Sequence, residues 1–242
     1  MRLLDFSNGM DTLLNSYSRN GSFGEDTSKA DIRLDEYEKS VFLTQAQTAE
    51  VISLYNGNSA ETEGFEHTEE LRRYLAPLIK EAELSPIETS NGKPLGVDSK
   101  SKFFTLPEDL WFITYEAALL TGAACEGMSK QEVYPVRQDE YDKLRKNPFR
   151  GANERRALRL DLADNVVEII STQGITSYYV RYLRKLSPIV LIDLDDGLSV
   201  DGVSTATECQ LHESLHQRIL QRAVAMVLAS RGYLARNDNE NR

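Results

Sequence analysis

Leu158-Arg-Leu-Asp-Leu162 and Tyr178-Tyr-Val-Arg-Tyr-Leu183 carry the strongest structural pattern of the chain. Leucines occupy every second position of the first stretch, and Tyr178, Val180 and Tyr182 repeat this spacing in the second. A period of two is typical of a β-strand with one buried face. The connections at residues 163–165, 172–174 and 186–188 are short, which predicts that consecutive strands run antiparallel. We therefore expect a mostly antiparallel β-sheet meander, within a sheet that spans about residues 103–194.

Helical patterns are found on both sides of this sheet in the sequence. Asp35 and Glu38 form a capping box at the start of a helix over residues 35–56, and a second helix is expected over 68–80, with Pro77 kinking it or ending it near Ala76. A long C-terminal helix is predicted at about 208–231. The expected fold class is α+β, with N-terminal helices, the sheet in the middle and the long C-terminal helix.

The domain organisation follows from where apolar residues are scarce. Residues 1–33 are mostly polar, so they are expected to form a flexible N-terminal arm, either frayed or ordered on a neighbouring chain. Residues 34–232 are predicted to form a single α+β domain, and residues 233–242 a polar tail.

Composition excludes several classes of protein. The formal net charge of −10 argues against non-specific nucleic-acid binding by the whole molecule, although a local basic patch stays possible. No apolar run is long enough to cross a bilayer, and Asp5 interrupts the first residues, so we expect no membrane association and a protein that stays in the cytoplasm where it is made. Cys125 and Cys209 lack C-x-x-C spacing, which favours free thiols.

His212-Glu-Ser-Leu-His216 matches the H-E-x-x-H pattern of zinc peptidases. Histidines four positions apart on a helix can bind one zinc ion, with Glu213 placed to activate a bound water. However, no third histidine follows at the expected spacing, and His67 is distant in the sequence. We interpret His212 and His216 as inward-facing, hydrogen-bonded side chains, and keep a zinc-dependent metallopeptidase as the alternative function.

A basic run is the second candidate site. Seven of the chain's 28 basic residues lie within residues 143–159: Lys143, Arg145, Lys146, Arg150, Arg155, Arg156 and Arg159. Guanidinium groups bind phosphates and carboxylates with two parallel hydrogen bonds. The run is interpreted either as a contact site for an acidic partner or DNA phosphate, or as a solvated or salt-bridged face.

Other chemical motifs give no support for catalysis. Asp193, Asp195, Asp196 and Asp201 lack the spacing of an EF-hand loop and are interpreted as a charged turn. The sequence contains neither a G-x-S-x-G motif nor a glycine loop that would cradle phosphate. We therefore expect no enzymatic activity, no catalytic residues, no cofactor and no bound metal.

The sequence also resembles a family of tailed-bacteriophage structural proteins, found in crAss-like phages, that build the neck between portal and tail. The resemblance covers residues 34 to about 230 in order, and it is carried mainly by residues 34–47, 104–109, 135–141, 147–150 and 179–190.

The resemblance implies a structural virion protein of the head-tail connector type. It implies a ring, a dodecamer under the portal, that binds the portal protein and further neck or tail proteins and lets DNA pass. Assembly is expected in the host cytoplasm and final localisation in the virion. A tail or baseplate structural protein is the second alternative.

Overall fold

The computed structural model describes residues 1–20, 32–56, 73–87, 101–120, 130–195 and 197–231. The chain divides into two compact units: a helical unit, formed by Met1–Pro77 and Leu186–Arg242, and a sheet unit, Leu78–Lys185. This differs from the single domain predicted over 34–232. The sheet unit is inserted between two halves of the helical unit, so its boundaries are not marked by a linker in the sequence.

The described residues of the sheet unit form seven strands. They are β1 (Ile79–Leu84), β2 (Lys102–Thr105), β3 (Leu110–Leu120), β4 (Lys130–Pro135), β5 (Arg156–Asp161), β6 (Val166–Ile170) and β7 (Ile175–Arg184). Their order in the sheet is β1-β7-β3-β4-β5-β6-β2. The α+β class is confirmed, but the sheet is mixed, because β4 and β5 run parallel while the other pairs are antiparallel.

The β5–β6 connection forms the antiparallel hairpin that the sequence predicts. Asp164 and Asn165 adopt φ angles of 60° and 57°, and two successive left-handed residues are the conformation that a tight hairpin turn requires. The next connection differs from the prediction. Strands β6 and β7 are joined by residues 171–174 only, yet three strands lie between them in the sheet.

This connection requires the sheet to curl. In a flat sheet, four strand spacings would separate β6 from β7 by about 19 Å, whereas the five chain steps from Ile170 to Ile175 reach about 17 Å at full extension. The curled sheet encloses the main core of the unit, in which Phe104, Ile169 and Tyr178 are fully buried. The meander ends at Arg184, so the prediction that it continues to residue 194 is wrong.

Of the α-helices whose bounds the described residues give, three lie in the helical unit. These are α1 (Leu3–Asn20), α2 (Glu36–Asn56) and α4 (His216–Ser230), whereas the short α3 (Tyr141–Arg145) belongs to the sheet unit. The predicted capping box is confirmed, since the Glu38 amide donates to Asp35 Oδ1 at 2.6 Å and the Asp35 amide to Glu38 Oε2 at 3.2 Å.

The N-terminal segment is not the flexible arm that its polar composition predicts. Residues 3–20 form α1, whose Phe6, Met10 and Leu14 are fully buried. A buried charge also holds α1 against α2, because the Lys39 ammonium of α2 donates to Ser7 Oγ at 3.0 Å and to Asp11 at 2.8 Å. Residues 21–31 lie outside the described part of the chain.

Two further helix predictions are corrected. Residues 73–75 are helical and Ala76–Leu78 form a 3-10 turn, after which β1 begins. The end near Ala76 that Pro77 predicts is confirmed, because Pro77 lacks an amide proton and clashes with the preceding turn, whereas continuation of the helix to residue 80 is wrong. The C-terminal helix begins at His216 rather than near 208, after a 3-10 turn at Glu213–Leu215. Residues 68–72 and the tail at 233–242 lie outside the described residues.

Candidate interaction surface

The connection between β4 and β5 presents the basic run. It contains α3 and a compact turn that follows it. Asn147 organises this turn: its side-chain oxygen accepts from the Phe149 amide at 2.9 Å and the Arg150 amide at 3.2 Å, and its carbonyl accepts from the Gly151 amide at 2.8 Å. A Cβ atom at Gly151 would lie 2.9 Å from the carbonyl oxygens of both Asn147 and Leu144, so only glycine fits there.

A second asparagine closes the connection. Asn153 Oδ1 accepts from the Arg155 amide at 2.9 Å and from the Arg156 amide at 3.0 Å. The Asn153 carbonyl accepts at 2.8 Å from Gln131 Nε2, and Gln131 is fully buried in β4. The Gln131 side-chain oxygen accepts in turn from Ser171 Oγ at 2.5 Å. Buried, satisfied hydrogen bonds of this kind hold one conformation of the backbone.

Arg156 joins the turn to the sheet. Its guanidinium lies 4.3 Å from the ring centroid of Tyr134, and its Nη1 donates to the Phe149 carbonyl at 3.0 Å. The Phe149 ring itself is 85% exposed. A large aromatic side chain held in solvent by an ordered backbone loses little conformational freedom when it is buried against a partner.

The predicted basic run separates into three environments. Five of its side chains are exposed and form no ion pair with another described residue: Lys143, Arg145, Lys146, Arg150 and Arg155. Arg156 is half-buried beside Tyr134, as described above, and Arg159 is buried. We call residues 143–155, with their five exposed cations and Phe149, the basic turn.

Arg159 belongs to the interior of the sheet unit. Its Nη1 donates to both carboxylate oxygens of Glu116 at 2.7 Å, its Nε donates to Asp161 at 2.9 Å, and the Tyr178 hydroxyl donates to Glu116 at 2.5 Å. Burial raises the pKa of Glu116 above its ordinary value, although Arg159 and Tyr178 oppose the rise. Burial also raises the pKa of Tyr178, so its hydroxyl stays protonated and donates. Arg159 therefore cannot contact a partner.

The H-E-x-x-H string does not adopt the geometry of a zinc site. His212 precedes the helix with φ −59° and ψ 142°, it is exposed, and its Nδ1 pairs with Ser214, so the expectation that it faces inward is wrong. His216 is buried at the first position of α4; its Nδ1 lies 2.7 Å from the Met1 nitrogen and its Nε2 3.1 Å from the Leu211 carbonyl oxygen. Burial lowers the pKa of His216. The two rings therefore do not share a helix face.

Three other expectations concern a bound metal, membrane-spanning segments and the two cysteines. Among the residues that the structure describes, no group of three or more His, Cys, Asp and Glu side chains could hold a metal ion. None of the described helices is both long and apolar enough to cross a membrane. Cys209 is a free thiol that donates to Gln47 at 3.2 Å, whereas Cys125 lies outside the described residues.

Comparison with known proteins identifies the family. The family model described as phage tail ring protein 3/4 matches residues 1–239. The chain belongs to this family. It is 43% identical over 236 residues to "Ring protein 3" of Bacteroides phage crAss001, a match that covers 96% of the chain and 97% of that relative. It is also 30% identical over 240 residues to "Ring protein 4/5" of the same phage, with 95% of the chain and 93% of the relative covered.

The ring-protein family confirms the resemblance to crAss-like phage structural proteins. The protein is a phage ring structural protein, which places it in the virion. The residues that build its basic turn were only partly found by sequence reasoning, which identified the cations but not Phe149, Gly151 or Gln131. The Asn-Pro and Asn-Glu pairs at residues 147–148 and 153–154 were the available signals, because asparagine side chains cap tight turns.

Proposed function

We propose that identical copies of this chain form a ring in the neck of the virion, connecting the portal and capsid to the tail and letting DNA pass through the opening. The observation that carries this proposal is the family match over residues 1–239. The twelve-fold symmetry implied by the resemblance, a dodecamer, is part of the proposal, as are the portal protein and further neck or tail proteins as partners.

The surface of the chain supports association between unlike patches. In a ring, each subunit offers one surface to the next copy and a different surface to the previous one. An acidic chain that concentrates exposed positive charge in one ordered turn has such an asymmetry. The basic turn therefore acts as a protein contact, and its cations serve complementarity with acidic groups rather than with DNA phosphate. The role of the ring is structural, without enzymatic activity.

Electron microscopy of the purified chain, alone and mixed with the portal protein, tests the assembly. We expect closed rings that stack on the portal, and a reconstruction of the virion should place the ring between portal and tail. A chain that stays monomeric in both samples would contradict ring formation. A ring located only at the distal end of the tail would instead establish the tail or baseplate alternative.

A further inference from the structure

An acidic segment of the helical unit has the opposite character to the basic turn. Residues 186–217 carry six carboxylates and contain no lysine or arginine. The five of these acids that the structure describes are all exposed: Asp193, Asp195, Asp201, Glu208 and Glu213. The segment therefore carries only negative charge, whereas five of the six charged side chains at residues 143–155, apart from Asp142 and Arg156 beside them, are positive.

The acidic segment is also ordered. Val190 and Thr207 exchange backbone hydrogen bonds of 3.1 and 2.9 Å. Val200 and Val203 exchange two of 2.9 Å across a turn in which Asp201 and Gly202 have φ angles of 48° and 81°. Two left-handed residues with an Asp-Gly sequence are typical of a tight hairpin turn. Residues 190–195 and 197–207 thus form an irregular hairpin, which we call the acidic hairpin.

Apolar side chains are exposed within both charged surfaces. On the acidic hairpin, Ile192 is 49% exposed and Leu198 is 44% exposed. On the basic turn, Phe149 is 85% exposed. Interfaces commonly place a few buried aromatic or aliphatic anchors inside a polar rim, and opposite charges around the anchors set orientation and exclude wrong partners.

We propose that the basic turn of one copy docks on the acidic hairpin of the neighbouring copy, with Phe149 packed against Ile192 and Leu198. The inference rests on the ring function proposed above and names the subunit contact that closes the ring. Its occupant is a second copy of this chain because both halves of the contact, opposite in charge and each with exposed apolar side chains, are present on the same sequence. The contact is heterologous, so each copy offers its turn to one neighbour and its hairpin to the other.

Substitutions of the exposed anchor test the apolar part. Phe149→Ala should weaken ring association by at least about 30-fold, the scale of an aromatic hot spot, as measured by sedimentation velocity of the full-length chain over a concentration series. Its circular dichroism spectrum should remain unchanged, since the Phe149 side chain is 85% exposed within its own chain. Tyr17→Ala, at a residue that is 54% exposed on α1, is the matched control and should leave association unchanged.

Charge reversal tests the identity of the partner surface. The double variant Arg150→Glu with Arg155→Glu should lose the ring. Adding Asp195→Arg in the hairpin, together with Glu208→Arg directly after it, should restore the ring in the same chain. Rising salt should dissociate the wild-type ring, because salt screens exposed charges. The control Arg137→Glu reverses an exposed charge outside the basic turn and should have no effect.

The outcomes separate this inference from the ring proposal. If wild-type rings form and Phe149→Ala rings are equally stable, the subunit contact proposed here is refuted while the ring function stands. If the reversed turn is not restored by the reversed hairpin, the turn binds another surface and the named partner is wrong. If rings persist but the reversed turn loses binding to a double-stranded DNA fragment, the turn is a DNA contact. A wild-type chain that forms no ring, with or without portal, refutes the proposed function itself.

Discussion

Removing the Glu116 carboxylate should destabilise the sheet unit more than removal of any exposed charge. The side chains of Glu116 and Arg159 are each 10% exposed, and Arg159 would be left buried with only the Asp161 carboxylate beside it. Loss of one partner of a buried ion pair costs about 3–5 kcal/mol. In proteins of this size, each kcal/mol lowers the melting temperature by about 2–4 °C, so we expect Glu116→Ala to melt about 6–20 °C below the wild type.

The assay is urea and thermal denaturation followed by circular dichroism, arranged as a double-mutant cycle. Glu116→Leu and Arg159→Met are measured singly and together. We expect the double variant to lose less stability than the sum of the singles, because no unpaired charge is left when both groups are removed. Tyr178→Phe added to the double variant removes the hydroxyl that has lost its acceptor.

Asp139→Ala provides the matched control. It removes an ion pair with Arg137 whose side chains are 65% and 75% exposed, and exposed pairs contribute little to stability. If Glu116→Ala changed the free energy of unfolding by no more than Asp139→Ala, or if the cycle were additive, the reasoning about the buried pair would be refuted.

Three further substitutions test other parts of the structure. Gly151→Ala should cost about 1–3 kcal/mol of unfolding free energy, because its Cβ would press on two backbone carbonyl oxygens, and urea denaturation measures it. Lys39→Met should cost about 1–3 kcal/mol and increase hydrogen exchange in α1, because the ammonium that binds α1 is lost; Lys102→Met, at an exposed position of β2, should change neither. The Lys80 ammonium, which donates at 2.6 Å, holds the pKa of Asp109 below its ordinary value of 3.8, so the carboxylate stabilises the fold above that pH and the stabilisation is lost as the pH falls through the lowered pKa. Lys80→Met should therefore lower the free energy of unfolding above about pH 4, and the difference between variant and wild type should become smaller in acid. Urea unfolding at several pH values measures this difference, and an equal loss at every pH would contradict the role given to the Lys80–Asp109 ion pair.

Local patterns were read correctly where the interaction lies within a few residues of the chain. The capping box at Asp35 and the hairpin turn at Asp164 depend on neighbouring residues only. The inner face of α2 was different, because it buries polar as well as apolar side chains. Gln47 and Glu50 are buried whereas Ile52 is 38% exposed, so the spacing of apolar residues alone does not identify that face. Their partners, such as Arg218, lie far away in the sequence.

The order of the strands in the sheet also depends on residues that lie far apart in the sequence. Alternation predicted the strands at residues 158–162 and 178–183, but not β1, and neither the parallel pairing of β4 with β5 nor the separation of β6 from β7 follows from it. A connection of residues 136–155 is long enough for a parallel crossover, and a curled sheet lets a short link join strands that are not paired. Both are decided by which surfaces the whole sheet can bury.

The sequence alone therefore determined the α+β class, the position of most strands, the charge of the basic run and the resemblance to ring proteins, because composition, periodicity and motif order are properties of the linear chain. Only the tertiary structure decided that Arg159 is buried against Glu116, that His212 lies outside the helix, and that Phe149 is exposed at the tip of an ordered turn. The cations of the basic run all carry the same charge, yet some are exposed and Arg159 is buried. Contacts with residues far away in the sequence decide between the two, because burial is a property of the folded chain.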